Sequence, residues 1–187
     1  LSDGRVGKEY TKRVTSYTDQ ILKNSGNEDV KPLVKAVLNY GAYAQKQFNY
    51  RTAELANAGL SEAEKTAINA VSLADVTGYT NSTAGSVEGL KVKSVSLLVE
   101  SGTVLRFYFT VSEGHDISEY QFVRSDTGEV LTAEATEEAG RYSVDIENII
   151  SRKLDDSYSV RVNDSYTVTS SALSYVRSVL KNPASYA

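Results

Sequence analysis

The sequence contains no cysteine. That excludes a thiolate nucleophile, a thiolate metal site and any structural disulfide. Histidine occurs once, as His115 in Glu113-Gly114-His115-Asp116, a turn between two strand-like segments. A turn histidine is normally solvent-exposed, and a lone one offers neither a Ser–His–Asp arrangement nor a histidine metal site. Neither GxxxxGK[ST] nor GxGxxG occurs, so no phosphate-cradling loop is encoded. Tryptophan and methionine are absent, and a tryptophan-free chain is a poor candidate for a sugar cleft. No apolar run approaches the roughly 20 residues of a membrane span. Basic residues are not in excess: 20 Lys and Arg stand against 24 Asp and Glu, for a net charge of −4. They are scattered, which argues against a nucleic-acid or anionic membrane partner. No catalytic residue, metal ligand set or cofactor site is assigned. Calcium on loop oxygens near Glu113, Asp116 or Asp126 stays open, without EF-hand spacing.

The 187 residues are 41% apolar, enough for one medium domain or two small ones without cross-links. Tyrosine outnumbers phenylalanine 13 to 4. Tyrosine has an apolar ring with a polar tip and suits half-buried and recognition positions. The opening Leu1-Ser2-Asp3 reads as the start of an excised fragment.

Periodicity divides the chain. Residues 1–75 read as helical. A first helix over 9–24 carries the stripe Tyr10, Val14, Tyr17, Ile21. A second starts near Asp29 as N-cap, with Pro32 in its first turn and Leu33, Val37, Gly41, Ala44 and Phe48 as its packing face. Gly41, with Ala42 and Ala44, allows close approach of another element. Ser61-Glu62-Ala63-Glu64 fits a capping box opening a third helix that runs to about Ala70. Residues 76–88 read as a polar linker. Residues 89–170 alternate in short runs: Val95/Leu97/Val99, Leu105/Phe107/Phe109/Val111, Tyr120/Phe122, Tyr142/Val144/Ile146 and Tyr158/Val160/Val162. Turn signals separate them at 100–102, 112–114, 125–128 and 139–140. Residues 171–187 close the chain with a helix placed to pack with the N-terminal helices and stopped by Pro183. The expected fold class is α+β: a helical segment, an antiparallel immunoglobulin/fibronectin-like sandwich, and a C-terminal helix. Leu154, a polar turn, then Tyr158 opening a strand resembles the tyrosine corner of such sandwiches.

Ser16-Tyr17-Thr18-Asp19-Gln20-Ile21-Leu22-Lys23-Asn24 matches Ser174-Tyr175-Val176-Arg177-Ser178-Val179-Leu180-Lys181-Asn182 at five of nine positions. The shared frame reads as one period of a repeat array, with the first helix belonging to the tail of a preceding unit. The segment from Leu33 to Gln45, LVKAVLNYGAYAQ, followed by Ser96–Phe109, Leu154–Val162 and Ser171–Tyr175, resembles a domain of large cell-surface proteins of gut Firmicutes. The resemblance covers nearly the whole chain and implies an extracellular, cell-surface or cell-wall-attached, multidomain setting. It brings no catalytic residues.

The function these readings point to is a non-catalytic binding or adhesion module. Its implied partner is a host protein, immunoglobulin being the concrete case, with neighbouring domains of the same chain beside it. A glycan-binding module and a passive spacer repeat are the alternatives. Candidate contact residues are Arg106 and Tyr108, which project from the face opposite Leu105 and Phe107, and Tyr79 and Tyr120.

Overall fold

The computed structural model describes residues 14–68, 72–99 and 102–182. The sequence-derived helix start at residue 9 with Tyr10, the end of the third helix at Ala70, the turn residues Glu100 and Ser101, and Pro183 lie outside them. The chain is α+β. Among the described residues are four α-helices and nine strands in two antiparallel sheets. It divides into two compact units, Leu1–Val71 and Ser72–Ala187.

In the first unit, α1 (Val14–Lys23) packs on α2 (Lys31–Gln47), and α2 packs on α3 (Glu62–Ile68). Their core joins Ile21, Val34, Leu38 and Leu60. The expected packing faces are corrected here. Leu33, Val37 and Phe48 are exposed, and α2 instead buries Val34, Leu38, Asn39 and Ala42, the neighbouring arc of the same helix. On α1, Val14 and Tyr17 are exposed while Thr18 and Ile21 are buried. Asp29 is not the N-cap. It lies in a 3-10 turn, Ser25–Val30, and α2 begins after Val30 with Pro32 in its first turn.

The polar residues of the LVKAVLNYGAYAQ segment have packing work. Asn57 Nδ2 donates to Asn39 Oδ1 at 2.7 Å, and both are buried. Gln45 donates to the carbonyls of Arg51 and Glu54 and accepts from the Ala56 N–H at 2.7 Å. A Cβ on Gly41 would lie 3.1 Å from the Ala56 methyl, so the missing side chain sets the approach of this loop. At α3 the capping box forms: the Glu64 N–H donates to Ser61 Oγ and the Ser61 N–H to Glu64 Oε2.

The second unit opens with a 3-10 turn, Leu73–Val76, followed by β1 (Ser82–Gly85), β2 (Leu90–Val99), β3 (Thr103–Val111), β4 (Phe122–Arg124), β5 (Val130–Leu131), β6 (Ala133–Ala135), β7 (Arg141–Ile146), β8 (Tyr158–Val162), β9 (Tyr166–Ser170) and α4 (Ala172–Lys181). The sheet orders are β1-β9-β8-β4-β5 and β2-β3-β7-β6. The stretch 76–88 is more than a linker, because it holds β1, which pairs antiparallel with β9. A Cβ on Gly85 would overlap the Ser165 carbonyl, and its φ of +71° is one that glycine tolerates.

Alternation built the core on β3, β4, β7 and β8 as anticipated. The expected Val95/Leu97/Val99 run on β2 is corrected: Val99 is exposed, Val95 and Leu97 are only half-buried, the register shifts between Val92 and Ser94, and the fully buried residue of β2 is Leu90. Leu105, Phe107 and Phe109 are fully buried from one sheet, with Val144 and Ile146 beside them. Phe122, Val160, Val162 and Val168 face them from the other, and the Phe109 and Phe122 rings meet at 5.1 Å. Asn163 and Asp164 both take left-handed backbone between β8 and β9, where the Ser165 N–H donates to the Val162 carbonyl, as an I′-type hairpin needs. Tyr158, opening β8, is buried, and its hydroxyl donates to the Lys153 carbonyl at 3.3 Å. Ser171 caps α4 by accepting from the Ser174 N–H. Within this unit α4 packs on β2 and on the Leu73–Val76 turn.

Candidate functional site

Because β3 buries every second residue, Arg106 and Tyr108 are turned to the outer face of the β2-β3-β7-β6 sheet. Register supplies their neighbours. Arg106 stands between Ser96 on β2 and Asp145 on β7, and Tyr108 between Ser94 and Ser143, with Glu134 of β6 next in that row. Arg106 grips Asp145 through two parallel bonds, Nε–Oδ1 at 2.8 Å and Nη2–Oδ2 at 2.6 Å. That carboxylate raises the guanidinium pKa further above its ordinary value, against the opposing effect of burial.

The Arg141 guanidinium lies 4.3 Å from the Tyr108 ring centroid and is paired with Glu138 at 2.7 Å. Stacking of this kind contributes about 0.5–1 kcal/mol at exposed sites. An open depression of about 620 Å³ runs over Arg106, Tyr108, Glu134, Thr136, Glu138 and Arg141. A second, of about 370 Å³, shares Glu134 and Ser143 and continues past Asp145. The surface is therefore a self-paired, partly aromatic platform. It offers hydrogen-bonding edges and a fixed ring.

The other two candidate residues are not part of it. Tyr79 is half-buried in the segment before β1, with its N–H on the Val76 carbonyl. Tyr120 is a correction: it is 8% exposed and belongs to the sandwich core. Its hydroxyl donates to the Glu88 carbonyl at 2.7 Å, and burial foremost raises its pKa. It has extended backbone and lies two residues before the buried Phe122, on the same side of the chain, so its ring is packed in the core and is not free to stack on a ligand. Asp145, Arg141 and Glu138 were not anticipated. The outward residues of β7, Arg141/Ser143/Asp145, alternate with the inward set and were readable by the rule that found Arg106.

His115 is half-buried, with its side chain 27% exposed. Gly89 backs its ring so closely that any side chain there would collide with it. Its Nδ1 lies 3.0 Å from a Glu119 carboxylate oxygen, and that contact, then the Asp116 N–H, lowers the Glu119 pKa. Asp116 and Glu119 form a reciprocal cap on their turn, and Asp126 is paired with Arg124. Among the described residues no group of three or more His, Asp or Glu could hold a metal ion. No described helix is long and apolar enough to cross a membrane.

No protein-family profile matches the chain, and neither curated protein sequences nor solved structures yield a similar protein.

Proposed function

We propose that the chain is a non-catalytic binding module of a bacterial cell-surface protein, and that the outer face of its β2-β3-β7-β6 sheet engages a folded host protein. The observation that carries the reading is the platform of Tyr108 and Arg141 beside the Arg106–Asp145 pair. Arginine and tyrosine dominate protein-binding hot spots, and a broad, open, pre-paired surface suits a protein partner better than a small molecule. The resemblance of the 33–45 segment to gut Firmicutes surface proteins makes immunoglobulin the partner to test first.

The sandwich is proposed to be of immunoglobulin/fibronectin type. Lettering the strands from β2 as A, B, C, C′, D, E, F and G turns β2-β3-β7-β6 into A-B-E-D and β9-β8-β4-β5 into G-F-C-C′. That is the immunoglobulin-like order, with β1 as an added strand beside G. The Tyr158 hydroxyl bond at the start of F supports the same assignment.

The test is binding of the chain to secretory and serum immunoglobulin by biolayer interferometry, with Tyr108→Ala and Arg141→Ala as variants. Micromolar or tighter binding that weakens about tenfold or more, equivalent to about 1.4 kcal/mol, in either variant is the expected result. Binding unchanged by both variants would remove the platform from the interface, and no binding at all would remove immunoglobulin as the partner. The repeated helix sequence favours a second role as a spacer in an array, and that role is compatible with the first.

A further inference from the structure

The two copies of the repeated helix are buried in complementary ways. In α1, Thr18 and Ile21 are buried at 3% and 8%, and Ile21 and Leu22 belong to the core made with α2. Ser16 is exposed and Tyr17 is 58% exposed. In α4, the matching Ser174 is buried at 4% and Tyr175 is half-buried, while Val176 and Val179, which match Thr18 and Ile21, are only half-buried. Each helix therefore buries more fully the positions that the other leaves more open. One amphipathic sequence thus has two working faces: one holds a sandwich and the other holds α2.

We infer that α4 is a connector helix, and that its Val176, Val179 and Leu180 face seats the α2 of a following copy of this chain, in the way α1 seats α2 here. The occupant is fixed by the match itself. Five of nine residues are shared in register, and α2 is the helix that the α1 version holds. Position 21 changes only from Ile to Val, and position 18 from Thr to Val, so the seating face of α4 is at least as apolar as that of α1. By the same logic the exposed Ser16 and Tyr17 on α1 face the sandwich of a preceding copy. Neighbouring units would then be joined through a shared rigid helix in place of a flexible linker.

The test is a tandem chain in which residues 1–182 are followed directly by residues 25–187. The second copy then has no α1, and the first copy's Ser174–Asn182 occupies that position in register. Hydrogen exchange is read on peptides from residues 31–47, which are identical in the two copies. The expected result is a single protected population. Two populations of equal size, one exchanging freely, would overturn the inference. Val179→Asp with Leu180→Asp in the first copy should split the 31–47 peptides into two such populations while β8 peptides stay single, showing that the sandwiches remain folded. A 31–47 peptide that stays single in this variant would overturn it as well, since α2 would then be held without the α4 face.

Discussion

Replacing Asn57 by alanine tests what holds the 48–60 loop on α2. Asn57 Nδ2 donates to Asn39 Oδ1 at 2.7 Å, with the two residues 8% and 2% exposed. The Asn39 amide nitrogen has no hydrogen-bond partner among the described residues, so Asn39 depends on this one contact. Truncating Asn57 leaves both ends of the Asn39 amide unpaired in apolar surroundings, at a cost of about 1–3 kcal/mol. In a unit of this size, 1 kcal/mol moves the melting midpoint by about 4–8 °C. The helical unit should therefore melt roughly 5–20 °C lower. Replacing both partners, Asn39→Leu with Asn57→Ala, should recover most of that loss, because removing a buried polar pair together is far less costly than orphaning one member. Thermal scans by far-UV circular dichroism, with hydrogen exchange on α2 peptides to isolate the helical unit, measure both variants. The reasoning is refuted if Asn57→Ala melts with the parent, or if the double variant is no better than the single one.

Acid should loosen the same unit through Glu64. The Lys35 ammonium at 2.8 Å, then the Ser61 N–H and hydroxyl, hold this carboxyl at about 2 against an ordinary 4.5. A lowered pKa means that the stabilising contribution is complete above pH 4.5 and is lost as pH falls through about 2. Helicity in that window should fall in the parent and stay flatter in Glu64→Gln; identical acid titrations would show that the cap is not coupled to folding. In the sandwich, Tyr158→Phe keeps the ring in the core and removes only the bond to the Lys153 carbonyl. It should cost about 1 kcal/mol by denaturant titration, and an unchanged midpoint would show that the corner contact contributes nothing.

The sandwich was legible wherever one face is buried, because alternation of side chains is forced by strand geometry. β3 follows that rule from Leu105 to Phe109, and β7 buries Val144 and Ile146 by it, although Ser143 on the outward side is buried as well. β9 carries the same signal in Tyr166, Val168 and Ser170, buried alternately with Thr167 and Thr169 half-buried, but its inward set ends in serine, which blunts the apolar alternation. β1 gave no signal: its four residues are all exposed, and its only commitment is backbone pairing to β9. The helical unit was legible as helices and illegible as packing. α2 has apolar residues on two adjacent arcs, and periodicity alone cannot choose between Leu33/Val37 and Val34/Leu38. The choice is made by Asn39, Gly41 and Gln45, whose partners lie in a loop with no periodic pattern. Of the candidate site, Arg106 and Tyr108 were visible from alternation on one strand. Their partners required the register between strands. Tyr120 shares the inward parity of Phe122 in one alternating run and both are buried, so alternation itself places it in the core and not at a contact surface.

The strand order also sets how the sandwich unit would respond to tension. β1 enters where β9 leaves: Ser82 is opposite Thr169, and the Ser170 hydroxyl donates to Asn81 Oδ1 at the same end. Pulling on the two ends of the unit would therefore load the β1–β9 bonds one after another, like a zipper, and not together in shear. The contact between α4 and the Leu73–Val76 turn joins those ends and would part first. Under force, the unit would lengthen by releasing β1 while the β2–β3–β7 core stays folded, and a single-molecule pulling trace would record this as a short step ahead of the main rupture.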